Sequence, residues 1–241
     1  MDIMNILIVG AGRAGTSFAA ALGAQHRVTL VHHDELPAHV DADLVLLTVH
    51  DDAIESTAAR LVVSAHTVVA HVSGSRRLDV LGSHARVGSL HPLAALPNAQ
   101  VGARRLRGGV FAVEGDELIS HVVRSLSGRV ISVPEDRRTL YYATAVSAAN
   151  HLVALMGHVE VLAAAAGLEL RDFLALAQQA LDDVGALGPA RALTGPASRG
   201  DLSTLDAQMA ALPGAERATY VALADRALRL ADENSTVPWN A

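Results

Sequence analysis

The chain has 241 residues, a formal net charge of −6 at pH 7, 51% hydrophobic residues and 18% charged ones. That length builds one large domain or two small ones with a real core, and the composition excludes a disordered or highly charged binding tail. The acidic balance speaks against a nucleic-acid binder, and the lack of cysteine excludes disulfides, thiol catalysis and sulfur-ligated zinc.

Lysine is absent as well, so all 19 basic residues counted as Lys+Arg are arginine. No lysine can form a Schiff base or act as an ammonium acid. The first residues, Met1 to Asn5, give no basic start to the apolar run that follows, so they read as no signal peptide. Leu152 to Leu170 is the most apolar long stretch, but His158 and Glu160 interrupt it. It reads as a core helix and not as a membrane span. The expectation is a soluble, cytoplasmic protein.

In chain order, Ile6–Val9, Val28–Val31, Leu44–Val49, Val68–Val72, Val87–Leu90, Val110–Val113 and Val130–Val133 read as strands. Most are near-continuous apolar runs, as for strands covered on both faces. Thr16–Leu22 and Ile54–Val63 fit crossover helices. The alternation implies an α/β fold, a Rossmann doubly wound and mainly parallel sheet. After Pro134 the pattern is helical: Arg137–Ala166 with a pinch near Gly157 and a stop at Gly167, then Arg171–Val184 ended by Gly185, Gly188 and Pro189, then Leu205–Leu212 and Glu216–Ala231. Asn234–Ala241 reads as a loose tail. The expected domains are 1–135, a dinucleotide-binding domain, and 136–241, an all-α domain for substrate and dimerisation.

Gly10-Ala11-Gly12-Arg13-Ala14-Gly15 is a G-x-G-x-x-G run between a strand and a helix. Gly10 permits the tight turn, Gly12 the close approach of a pyrophosphate, and Gly15 the packing of helix on sheet. The helix N-terminus offers free N–H groups to the phosphates. An acid at the end of the second strand favours NAD. Here that strand ends in His32 and His33, with Asp34 late and Arg13 inside the loop, so the expected cofactor is NADP, with NAD the alternative. Val49 and His50, after the third strand, are expected beside the cofactor. Asp51 there reads as a helix cap.

Ligands of open α/β sheets sit outside the carboxyl ends of the strands. His71-Val72-Ser73-Gly74 and His91-Pro92 fall at such ends. His71 and His91 are the candidate proton donors, and Ser73 a candidate substrate contact. In the helical half, Tyr142 and Asn150 fall on one helix face, and Asn150 reads as a buried amide in need of a partner. Asn150 is expected in the catalytic set, Tyr142 against the substrate. Arg199, in Leu193–Asp201, either clamps a carboxylate or braces its loop with Asp201. No metal-ligand spacing stands out.

These residues together resemble the Rossmann-like proteins carrying domain of unknown function 2520. The resemblance rests on Gly10–Gly15, Thr48–Ile54, His71–Gly74, Gly88–Leu93, Arg138–Ala143, Asn150 and Leu193–Asp201. It covers nearly the whole chain and implies an NADP-type Rossmann domain, a helical C-terminal domain and homodimers through that domain. Two positions depart from it: the family usually has proline where His50 stands and histidine where Tyr142 stands. The stretch Thr144–Ser147 is similar to pyrroline-5-carboxylate reductase. The architecture more distantly resembles ketopantoate reductase and the 6-phosphogluconate dehydrogenase-like proteins. The expected function is hydride transfer between nicotinamide and the C=O or C=N of a small anionic substrate. A non-catalytic NADP-binding regulator or sensor is the alternative.

Overall fold

The computed structural model describes residues 3–82 and 84–235. Contacts divide the chain into two compact units, Met1–Ala149 and Asn150–Ala241.

The first unit is built on β1 (Asn5–Val9), α1 (Arg13–Leu22), β2 (Arg27–Val31), β3 (Leu44–Leu47), α2 (Ile54–Ala59), β4 (Val68–His71), β5 (Val87–Pro92), α3 (Ala99–Leu106), β6 (Val110–Gly115), α4 (Glu117–Ser125), β7 (Arg129–Ser132) and α5 (Arg138–Val146). All seven apolar runs are strands of one sheet, in the order β2-β1-β3-β4-β5-β6-β7. Every neighbouring pair is parallel except β5 and β6. The apolar runs mark the strands because both faces are covered. Ile6, Ile8, Leu44, Leu46 and Phe111 pack into one core cluster, Leu7, Val9, Val45 and Leu47 into another on the opposite face. Each such side chain, fully buried, stabilises the fold by roughly 1.5–3 kcal/mol.

The chain reverses its winding between β1 and β3, which leaves a crevice outside their carboxyl ends. Ile54–Val63 is not helical throughout. The helix ends at Ala59, and Val63 instead bridges Val40 beside the sheet.

Helix α5 belongs to the first unit, and the contact division follows Ala149, not residue 135. Beyond α5 a π-helical turn, Ser147–His151, opens into α6 (Leu152–Ala165). The break in regular geometry lies there and not at Gly157, which α6 carries without interruption. Then follow α7 (Arg171–Leu187), α8 (Pro189–Ala192), α9 (Gly195–Ser198), α10 (Leu202–Ala211) and α11 (Arg217–Ser235). Of the three expected stops, Gly188, at φ +79°, ends α7, with Pro189 opening the next helix, while α7 runs through Gly185. Within the helical unit α11 packs on α8, α9 and α10. Asn234 and Ser235 still belong to α11, and the rest of the expected tail lies outside the described residues.

Among the described residues, one helix, Glu135–Ala165, is long and apolar enough to cross a membrane, with a mean hydropathy of 1.3. Asn150, His151, His158 and Glu160 along it carry polar groups that are costly in lipid.

Candidate active site

The strand-to-helix turn after β1 is held by its neighbour. Thr48 at the end of β3 donates its hydroxyl to the carbonyls of Val9 and Gly10, at 3.0 and 2.8 Å. A Cβ on Gly15 would sit 1.8 Å from the Gly10 carbonyl oxygen, so only glycine lets α1 start this close to the strand. Gly10 adopts φ +112°, which L side chains rarely reach. Gly12 is different: a Cβ there meets nothing within 4 Å. Its freedom is room for a ligand, which fits the pyrophosphate of a dinucleotide above the first turn of α1.

A cavity of about 1240 Å³ opens on this loop. Gly10, Ala11, Gly12, Arg13, Ala14, His32, His33, Val49 and His50 all line it, so the expected cofactor residues come together. Gly15 lies behind it, against Gly10 and Thr48. Asp34 does not line it. The side chains at the end of β2 that line the cavity are therefore imidazoles, with Arg13 in the same lining. The volume exceeds the ~300–1,000 Å³ of a drug-sized ligand site and suits a dinucleotide.

His71 has another task. It is fully buried. The Ser73 N–H donates to its Nδ1 at 3.2 Å, which leaves the proton on Nε2, 3.3 Å from the Arg77 carbonyl. Burial holds its pKa down at about 4. Both nitrogens serve the backbone, and His71 does not line the cavity. It shapes the turn after β4 and is not placed as a proton donor.

Ser73 is likewise committed. Its hydroxyl accepts from the N–H groups of Ser75 and Arg76 and donates to Asp51 Oδ2 at 2.8 Å. It braces that turn and has no capacity left for a substrate. Asp51 is not a helix cap: its Oδ2 receives the Ser73 and Ser75 hydroxyls, the latter at 2.6 Å, and α2 starts without a side-chain cap.

His91 does line the cavity, with Tyr142. Its Nδ1 lies 2.6 Å from the hydroxyl of Tyr141, with the rings edge to face. Burial, and next the Arg138 charge, hold the His91 pKa down at about 4, while burial pushes the Tyr141 phenol up to about 12. Both groups are neutral at pH 7. The Tyr141 hydroxyl has no other acceptor among the described residues, so it is assigned as donor to Nδ1. The remaining proton of His91 is then on Nε2, which has no partner among the described residues.

Arg138 lies beneath this pair. It is buried, donates from Nη1 to Glu114 Oε2 at 2.5 Å and from Nη2 to Ser89 at 3.0 Å. The strand period places Ser89 and His91 on one face of β5, and Glu114 pairs with Ser89 across to β6. The helix period brings Arg138 and Tyr141, three residues apart, over that same face. Tyr142 is the tyrosine expected against the substrate, yet the hydroxyl bonded to His91 is that of Tyr141. The tandem tyrosines differ by ~100° around the helix, and only a fixed helix phase tells which hydroxyl bonds His91. Tyr142 lines the cavity beside it, ring to ring with His91.

Asn150 and Arg199 belong to the helical unit. Asn150 sits in the π-helical turn and is exposed in this chain, contrary to the buried amide expected. Arg199 is exposed; it makes no close ion pair with Asp201 among the described residues, but its charge is the least of the causes that hold the Asp201 carboxyl below its ordinary value. Asp201 instead caps α10, accepting from the N–H and hydroxyl of Thr204. The helical unit has its own cavity of about 620 Å³, lined by His158 and Glu216, which bond at 2.5 Å.

Solved structures share this architecture. A protein from Thermotoga maritima superposes with a TM-score of 0.77 at 19% identity, covering 95% of this chain and 99% of that one. A protein from Bacteroides fragilis, described as a candidate NADP oxidoreductase, gives 0.75 at 18% identity, with 94% and 98% covered. A reductive aminase from Aspergillus terreus in complex with NADPH gives 0.66 at 19% identity, with 95% and 94% covered. These likenesses establish the fold. A comparison with curated protein sequences gives no match. Residues 110–227 match the family model "Domain of unknown function (DUF2520)".

Proposed function

We propose that the protein is an NADP-dependent oxidoreductase that moves a hydride between nicotinamide and the C=O or C=N of a small substrate. The observation that carries this reading is the cavity on the Gly10–Gly15 loop, lined by Arg13, His32 and His33 and, elsewhere in its wall, by His91. Arg13 and the two histidines favour a 2′-phosphate, and the N–H groups at the start of α1 favour the pyrophosphate. The nicotinamide, when bound, supplies the hydride. Its use is supported by the fold neighbours, among them an NADPH-bound reductive aminase and an NADP-bound pyrroline carboxylate reductase from Plasmodium falciparum.

In this reading His91 meets the substrate through its Nε2–H, with Tyr141 bonded to Nδ1 and so fixing that tautomer. A homodimer through the helical unit is part of this reading, because α7 exposes Leu174, Leu176, Leu181, Val184 and Leu187.

The test is NADPH oxidation in a screen of small carbonyl and imine compounds. A substrate should be found, and His91→Ala should then slow turnover by about tenfold or more while NADPH affinity stays within about threefold. The sensor reading draws on one observation: neither His91, held near 4, nor Tyr141, pushed to about 12, titrates near neutral pH. NADPH bound tightly and consumed with none of the compounds would favour it.

A further inference from the structure

The cavity separates its charges. Arg13, His32 and His33 lie on the β1 and β2 side, whereas Val72, Pro92, Ala94, Ala95, Leu96 and Pro97 make an apolar wall after β4 and β5. The one carboxylate that lines the cavity is Asp51. It is exposed, and both serine hydroxyls that hold it bond to Oδ2. Its Oδ1 has no hydrogen bond, and no arginine or histidine pairs with it, among the described residues. Its charge reaches His91. A carboxylate that lines the cavity, held through one oxygen by two hydroxyls and with the other oxygen unbonded among the described residues, is a receptor for a cation with an N–H.

The neighbouring chemistry points the same way. Reduction of a carbonyl needs a proton at oxygen as the hydride arrives. His71 has both nitrogens on backbone partners, lysine is absent, and neutral His91 and Tyr141 are weak acids. A protonated imine needs no such acid, because it carries its own proton.

We propose that Asp51 is the counter-ion for a cationic C=N substrate, a protonated imine, in place of the anionic substrate expected from Arg199. This rests on the reductase reading above. In the step, the iminium carbon gains a hydride and a new C–H bond forms. The C=N π pair becomes the nitrogen lone pair, the substrate becomes a neutral amine, and the nicotinamide is left oxidised. No proton moves. Asp51 Oδ1 pairs with the iminium N–H before the step, and the Nε2–H of His91 is available to the lone pair as it forms.

The test uses the full chain at pH 7. NADP-loaded protein is titrated calorimetrically with pyrrolidinium, cyclopentanone and pyruvate, as cation, neutral isostere and anion. NADPH oxidation is followed with 2-methyl-1-pyrroline and with cyclopentanone. Pyrrolidinium should bind about tenfold more tightly than cyclopentanone, and the imine should be the better substrate. Asp51→Asn keeps an acceptor for Ser73 and Ser75, so it should fold, retain NADPH affinity within about threefold and lose the preference for the cation. Asp51→Glu should keep part of it. If NADPH binds but cyclopentanone or pyruvate is preferred, or Asp51→Asn leaves the preference intact, the cation inference is overturned and the reductase reading stands. If Asp51→Asn weakens NADPH and pyrrolidinium equally, Asp51 serves the cofactor and the inference also falls. If the unaltered protein binds no NADPH, both fall.

Discussion

In the sheet unit, polar groups are inside and bonded: His71 and Ser89 are fully buried, and Arg138 nearly so, each with partners. In the helical unit, apolar groups are outside: Val153 is 72% exposed and Leu176 64%. A sheet covered on both faces completes its own core, and so it tolerates a buried polar cluster bonded largely from within, the Arg138 Nε being the one atom of that guanidinium group without a partner among the described residues. A set of helices with leucines facing outward does not complete its core within one chain. The first unit should therefore fail through lost polar partners and, if the proposed homodimer forms, the second through lost association.

The largest effect should come from Arg138→Ala. It removes the partner of Glu114 and Ser89, so we expect about 3–5 kcal/mol less stability in urea denaturation. A loss under about 1 kcal/mol would mean the cluster is not the anchor described.

Acid should act next. The folded-state pKa of His71 is about 4, below the 6.5 of the unfolded chain. Stability is then full above pH 6.5. As pH falls from there to 4 the unfolded chain takes up a proton the folded one refuses, and roughly 3 kcal/mol is lost through His71. His91, also held down at about 4, adds to the slope, so the His71 share is the difference between the protein and His71→Asn in denaturation curves at pH 7, 5.5 and 4.5, and equal slopes would mean His71 accepts its proton in the fold.

Gly12→Ala separates scaffold from ligand. The added methyl meets nothing in the protein, so the melting temperature should hold while NADPH affinity falls about tenfold or more. The smallest intrinsic effect belongs to Leu176→Asp. An exposed substitution changes monomer stability by only ~0.5 kcal/mol, yet on an interface it should convert dimer to monomer in sedimentation equilibrium. An unaltered protein that is monomeric at all concentrations would remove the association half of the contrast.

The strands and the phosphate loop were legible in the sequence because each carries a dense local pattern. The direction of β6 was not: its apolar run reads the same parallel or antiparallel, and a pairing partner decides. Asp51, Ser73 and His71 were misread for one reason. Each was assigned from its position at a strand end, while its hydrogen bonds run to residues 2 to 24 positions away in the sequence. Tyr141 was overlooked because its meaning depends on the phase of α5. The π-helical turn at Ser147–His151 has no proline or glycine to announce it.

The most direct measurement is calorimetric titration of the folded full chain with NADPH and, separately, NADH. The site described here should bind NADPH about tenfold or more tightly than NADH, because Arg13, His32 and His33 face the cavity and Asp34 does not. Binding of neither, or tighter binding of NADH, would contradict it.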